Sequence, residues 1–185
     1  MSIEILKKQL PDYAKDIKLN LSSLASDETL SEQQLWGCFL ACAISSRQPE
    51  VIKQISAAAH NHLTAESLHA AKAAASIMAM NNVYYKFVGM IDEAEYKTMP
   101  AKLRMNVIGN PGVDKADFEL WSLAVSALNG CQYCVNAHEP LIIKAGLSKS
   151  HVQTAVRIAS VVQAVATTLS AEEAFEEENA IAAAA

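Results

Sequence analysis

A helix running through Asp117 to Leu128 (Asp-Phe-Glu-Leu-Trp-Ser-Leu-Ala-Val-Ser-Ala-Leu) must stop at Asn129-Gly130, and a Cys-x-x-Cys pair, Cys131 and Cys134, opens the next stretch at once. Glycine tolerates the left-handed backbone that closes helices, so Asn129-Gly130 reads as a C-terminal stop. The chain turns back there, and the segments on either side are predicted to pair as an antiparallel helical hairpin. The rest of the sequence agrees with a helical scaffold. Alanine is abundant, glycine is limited to 6 residues, and β-branched runs are short, which points to an all-α fold.

The hairpin gathers reactive side chains. At ~100° per residue, a helix starting at Cys131 places Cys134 and His138 on one face, with His138 one turn beyond Cys134. The start of a helix presents unpaired N–H groups and a positive dipole end. Together with a nearby imidazolium, these lower a cysteine's pKa and so favour the nucleophilic thiolate. Glu119 and His138 each lie on the order of 12–16 Å from the turn along antiparallel helices, hence at similar height. Glu119, Ser122 and Ser126 form a narrow polar stripe at i, i+3, i+7 on an otherwise apolar helix. The stripe suits a solvent face, but because it runs toward the cysteines we read Glu119 as the partner that orients His138, letting the imidazole take a proton from Cys134.

The other elements follow from capping and periodicity. A short helix over Lys7–Lys18 is interrupted at Pro11, and helices are expected over 31–46, 49–62 and 64–80. Thr64-Ala65-Glu66 supplies a threonine cap with an acid in the first turn. Residues 82–99 are mixed and aromatic, 102–111 irregular, and 148–170 the last long helix. The acidic, then alanine-rich tail 171–185 is expected to fray. Trp36 and Trp121 lie 85 positions apart, and Leu63-Thr64 matches Leu147-Ser148 at a separation of 84. The expected architecture is a compact bundle of about seven to eight helices forming one domain over 1–185. It is built from two related halves, near 31–99 and 116–170. Ser46 and Pro49 stand where the cysteines stand in the second half.

At 185 residues with 51% hydrophobic content, the chain can bury a substantial core. A net charge of −5 without a basic patch argues against nucleic acid as partner. Acid and base precede any apolar run at the N-terminus, which does not resemble a signal peptide. No uninterrupted apolar stretch approaches the ~20 residues of a membrane span. A cytoplasmic protein is expected, and in a reducing compartment a Cys-x-x-Cys is catalytic or metal-binding before it is a structural staple.

Cys38 and Cys42, at i,i+4 with no charged neighbour, read as core. His60, His62, His69 and His151 follow no ligand spacing. A closed zinc site would need a second Cys/His pair, which the sequence lacks. Heme attachment needs histidine directly after the second cysteine, where Val135 stands. No metal ligand set is expected, and a redox dithiol on a helical scaffold is what these spacings support.

The runs Leu103-Arg104-Met105-Asn106, Asn110-Pro111-Gly112, Phe118-Glu119-Leu120-Trp121, Asn129-Gly130-Cys131 and His138-Glu139, with Met78 to Tyr85 earlier, resemble the alkyl hydroperoxidase D (AhpD) family, within the carboxymuconolactone decarboxylase-like superfamily. The resemblance implies an antioxidant peroxidase, an alkyl hydroperoxide reductase acting on organic hydroperoxides without heme, flavin or metal. It makes Cys134 the peroxidatic residue that becomes a sulfenic acid. Cys131 becomes the proton donor and resolving partner, closing a Cys131–Cys134 disulfide, with Glu119 and His138 as the proton relay. It also implies no bound cofactor and an external dihydrolipoamide reductant. That reductant would be carried on a lipoyl-bearing acyltransferase subunit and regenerated by lipoamide dehydrogenase. A peroxiredoxin is a potential client, and the family assembles as a homotrimer. Where some members carry histidine between the cysteines, this chain has Tyr133, whose helical angle points away from Cys134. Pro140 is expected to kink the helix after His138. Two other readings stand beside this one: a dithiol–disulfide oxidoreductase serving a protein client, and a decarboxylase-like or ligand-binding scaffold with an incidental dithiol.

Overall fold

A computed structural model describes the backbone of residues 2–184 and the side chains of residues 3–177. Every element among the described residues is helical: α1 (Ser2–Gln9), α2 (Lys15–Ala25), α3 (Glu32–Ser46), α4 (Pro49–Ala59), α5 (Ala65–Met90), α6 (Glu95–Thr98), α7 (Asn106–Gly109), α8 (Lys115–Leu128), α9 (Gln132–Lys144) and α10 (Lys149–Ala184), with a 3-10 turn at Asp12–Ala14. Two of these, α6 and α7, are single turns of 4 residues. The fold is the expected all-α bundle.

Several boundaries differ from the sequence reading. Pro11 does separate two helices, but α1 begins earlier and α2 runs to Ala25, because Leu6, Leu10, Leu21 and Leu24 all bury against the core. α5 continues to Met90. The aromatic stretch after Asn82 stays helical because Tyr85 stacks on Tyr133 of α9, ring centroids 5.2 Å apart. The last helix runs on past residue 171 through Ala184, as its alanines and glutamates, all good helix formers, allow. A single helical turn, α7, interrupts the stretch read as irregular.

The start signals work as read. Ser31 forms a capping box with Gln34, and Thr64 Oγ1 accepts from Ser67 N at 3.2 Å. Asp114 Oδ1 accepts from Ala116 N at 2.7 Å at the head of α8. At the centre of the core α3 and α8 lie side by side and run the same way. Gln33 meets Asp117, Gly37 meets Trp121 and Ser45 meets Asn129, so the register advances together at a constant separation of 84. Gly37 is required here, since any Cβ at that position would collide with the Trp121 indole. The indole N–H donates to the Gln34 carbonyl at 3.2 Å.

α5 and α10 flank this central pair, and α1, α2 and α4 close the remaining sides. By length and composition the stretch Lys149–Glu177 of α10 could cross a membrane, with a mean hydropathy of 1.2. Half of that window is buried within the fold, and Ala155, Ile158, Val162, Val165 and Leu169 form its inner stripe. Its apolarity is therefore that of a core helix.

Candidate active site

α8 and α9 form the predicted hairpin. Gly130 adopts φ 66° at the turn, and Cys131 N donates to Ser126 O at 2.9 Å. Cys131 is the N-cap of α9, its sulfur accepting from Cys134 N at 3.3 Å. The two sulfurs lie at disulfide distance, with Cα atoms 5.4 Å apart. Both are enclosed: Cys131 is 0% exposed and Cys134 is 4% exposed. Cys134 Sγ lies 3.9 Å from the carbonyl oxygen of Asn81 on α5.

One turn further, His138 is also buried, and its Nδ1 lies 2.6 Å from Glu119 Oε2. The carboxylate, at 2% exposure, fixes the ring's orientation. The sequence reading placed this pair together across the hairpin, and the structure does so. It also settles the nature of the polar stripe: Glu119, Ser122 and Ser126 are all buried, so the stripe is an interior seam and not a solvent face. His138 shares a face with Cys134, but among the described residues its one hydrogen bond goes to Glu119. Tyr133, nearly half exposed, stacks on Tyr85 at an interplanar angle of 8°. Helix α9 continues through Pro140 to Lys144 and keeps Ile142 in the core.

The chain matches the carboxymuconolactone decarboxylase family over residues 94–177, a segment that contains Glu119, Cys131, Cys134 and His138. It is 60% identical to the alkyl hydroperoxide reductase AhpD of Bradyrhizobium sp. (strain BTAi1), over 92% of this chain and 94% of that protein. It is equally similar to the AhpD of Brucella anthropi, at 60% identity over 92% of this chain and 98% of the relative. The AhpD of Rhodopseudomonas palustris (strain BisA53) is 58% identical over 92% and 94% of the two chains. The chain belongs to the AhpD family of alkyl hydroperoxide reductases.

In this AhpD-family chain the sequence reading missed a set of amides behind the cysteines. Asn82 Nδ2 donates to Ser126 Oγ at 2.9 Å, and Asn129 Nδ2 donates to Asn82 Oδ1 at 2.9 Å. Lys86 Nζ donates to the Asn129 carbonyl at 3.1 Å. This ladder ties α5 to the last turn of α8 and so fixes where the hairpin turns. Its signal was available: Asn81 and Asn82 follow the apolar run Ile77-Met78-Ala79-Met80 on α5, and buried amides need partners.

The residues set aside as non-catalytic sit apart from this site. Cys38 and Cys42 are free and fully buried, and burial pushes both thiols well above their ordinary range. His62 stacks on Trp36 with centroids 4.5 Å apart and pairs with Glu32. His60 Nδ1 contacts the Ser56 carbonyl at 2.7 Å, and His151 Nδ1 contacts Ser148 Oγ at 2.7 Å. Among the described residues no three His, Cys, Asp or Glu side chains converge on one point as metal ligands.

Proposed function

We propose that this chain reduces organic hydroperoxides, and hydrogen peroxide, through the Cys131/Cys134 dithiol. The observation that carries the reading is a buried Glu119–His138 pair, 2.6 Å apart, on the same face of α9 as two sulfurs at disulfide distance. His138, held by Glu119, takes the proton of Cys134. The thiolate attacks the distal peroxide oxygen, the O–O bond breaks, and the leaving alkoxide takes the Cys131 proton. Cys134 is left as a sulfenic acid. The Cys131 thiolate then attacks Cys134 Sγ, hydroxide departs with the proton from His138, and the disulfide closes. A dihydrolipoamide dithiol restores both cysteines by exchange.

The asymmetry of the pair fits these roles. Cys134 is the less buried of the two residues, which favours it as the one a peroxide meets. Cys131 Sγ receives a helix N–H, a donor that helps it carry the negative charge its resolving step requires. Near-complete burial favours a small peroxide, or a thin lipoyl arm, over a disulfide on a folded protein client. For this reason the general dithiol–disulfide oxidoreductase, with a peroxiredoxin as client, is the second reading. We place the enzyme in the cytoplasm as a homotrimer, supplied by a lipoyl-bearing acyltransferase subunit and lipoamide dehydrogenase.

The test couples cumene hydroperoxide to NADH through lipoamide and lipoamide dehydrogenase. Cys134→Ser abolishes turnover, and Cys131→Ser accumulates a sulfenate that a dimedone-type reagent traps. Normal steady-state turnover in either variant refutes the two-cysteine scheme.

A further inference from the structure

Three buried side-chain atoms have no protein hydrogen-bond partner among the described residues: Glu119 Oε1, Ser122 Oγ and Asn81 Oδ1. All belong to residues of the site. Two of them are neighbours on one stripe of α8, since side chains at i and i+3 share a helix face. Glu119 uses Oε2 for His138 and leaves Oε1 unpaired. Ser122 is fully buried, and its hydroxyl does not bond back to its own helix.

Ser122 also has a definite position along the hairpin. Glu119 pairs with His138 and Ser126 O pairs with Cys131 N, so α9 descends residue for residue as α8 climbs. Ser122 is therefore level with Cys134 and Val135, between the relay and the dithiol. A buried carboxylate oxygen and a buried hydroxyl, each unpaired, are costly unless something joins them. They do not bond each other directly, and water is the molecule that fits such a gap. Buried waters take positions where two to four polar groups converge.

We propose that Ser122 and Glu119 hold one buried water molecule, which accepts from Ser122 Oγ–H and donates to Glu119 Oε1, making Ser122 a positioning residue for the Glu119–His138 relay. The role deepens the peroxidase reading and rests on it. A donor at Oε1 favours the charged carboxylate. Without it, the pair with no proton to share, which carries net negative charge, is destabilised more than the protonated pair, which is neutral overall. The pair then holds its proton to higher pH, where it cannot serve as a base.

The groups that face this pair are few. α9 contributes Cys131 and Cys134, and α8 contributes Asp117, which is satisfied by Gln33 and Gln34. The buried thiols of α3, Cys38 and Cys42, have Asp117 and each other as their ionisable neighbours. The side chains that α5 and α10 bury are apolar, hydroxyl or amide. Glu139, next to His138 on α9, is half-buried and carries the same sign of charge as Glu119, so it cannot replace the lost donor.

The experiment follows the His138 imidazole by NMR across pH in reduced full-length protein, for the parent, Ser122→Ala and Ser122→Thr. Losing one hydrogen bond to a charged group raises the midpoint in Ser122→Ala by about one pH unit. Ser122→Thr, which keeps the hydroxyl, holds the parent value, and the acidic limb of peroxide turnover moves with the NMR midpoint. A high-resolution crystal structure of the parent shows a water within hydrogen-bond reach of both atoms. An unchanged midpoint in Ser122→Ala, together with the raised stability expected from deleting an idle buried hydroxyl, overturns the proposal. Because the NMR readout needs no turnover, a parent that shows the Ser122-dependent midpoint but consumes no peroxide supports the water site while sinking the peroxidase reading.

Discussion

Replacing Gly37 by alanine tests the contact on which the centre of the molecule is built. A Cβ at Gly37 would overlap the Trp121 indole, and Trp121 lies between Glu119 and Ser122 on α8. The substitution has one favourable component, since alanine is about 1 kcal/mol better than glycine inside a helix. Against it stand overpacking, roughly 1–3 kcal/mol, and the fate of the indole N–H. That group donates to Gln34 O at 3.2 Å, and a displaced ring leaves it buried and unpaired at roughly 1–3 kcal/mol. Taking middle values, the net loss is about 3 kcal/mol. Urea unfolding followed by circular dichroism measures it. A second variant isolates the cause: in a Trp121→Phe background the ring is smaller and has no N–H to strand, so Gly37→Ala costs much less there. The two changes should couple by about 2 kcal/mol in a double-mutant cycle. A Gly37→Ala protein as stable as the parent, or effects that simply add, would show that the two central helices do not pack in this register.

Three further outcomes follow from the same geometry. Glu119→Gln keeps the shape of the relay but removes the charge that supports His138, and peroxide turnover in the lipoamide-coupled assay should fall by about 10²–10⁴-fold. Retention of parental rate would remove Glu119 from the relay. Titration of the reduced protein with a chromogenic disulfide should consume the Cys131/Cys134 pair while the fold is intact, Cys134 reacting first and Cys131 then displacing the reagent to close the disulfide, with Cys38 and Cys42 reacting only in denaturant, because burial holds those two thiols protonated; a single phase for all 4 cysteines would contradict that difference. Asp117→Ala strands the Gln33 and Gln34 amides, which bond the carboxylate at 2.7 and 2.8 Å, and should cost roughly 2–4 kcal/mol in urea unfolding, with no loss expected if those bonds are incidental.

Local signals in the sequence carried the hairpin because its determinants are local. Asn129-Gly130 ends one helix, Cys131 begins the next, and equal distances from the turn bring Glu119 and His138 to one height. What escaped the sequence was set by partners far along the chain. The stripe of Glu119, Ser122 and Ser126 could have faced water on its spacing alone. It became interior because α5 covers it, with Asn82 bonding Ser126 across a separation of 44 residues. The parallel registry of α3 with α8 was likewise out of reach, since Gly37 reads as a weak point in a helix until the Trp121 ring is seen to occupy the space its missing side chain leaves. Helix ends slipped for a related reason. The aromatic residues after Asn82 looked unlike a helix, yet Tyr85 is helical and stacks on Tyr133, and tertiary packing outweighs propensity at such positions.

The spacing of the two cysteines has a structural meaning that only the caps reveal. Ser31 accepts from the N–H three residues on, Gln34, and Thr64 does the same from Ser67. Cys131 repeats this relation with Cys134, its sulfur standing where a serine or threonine oxygen would cap the helix. Two intervening residues are therefore what an N-cap bond demands, and the same spacing brings the sulfurs to disulfide distance. In the disulfide, Cys131 thus has a backbone donor at its sulfur. Cys134, by contrast, faces the Asn81 carbonyl, an acceptor that offers a thiolate no stabilisation. Its ionisation then draws on the positive end of α9, on His138 one turn away, and on the carboxylate that holds that ring. The two sulfurs thus divide the work by position: one is supported by the backbone, the other by a side-chain pair that the hairpin had to fold to assemble.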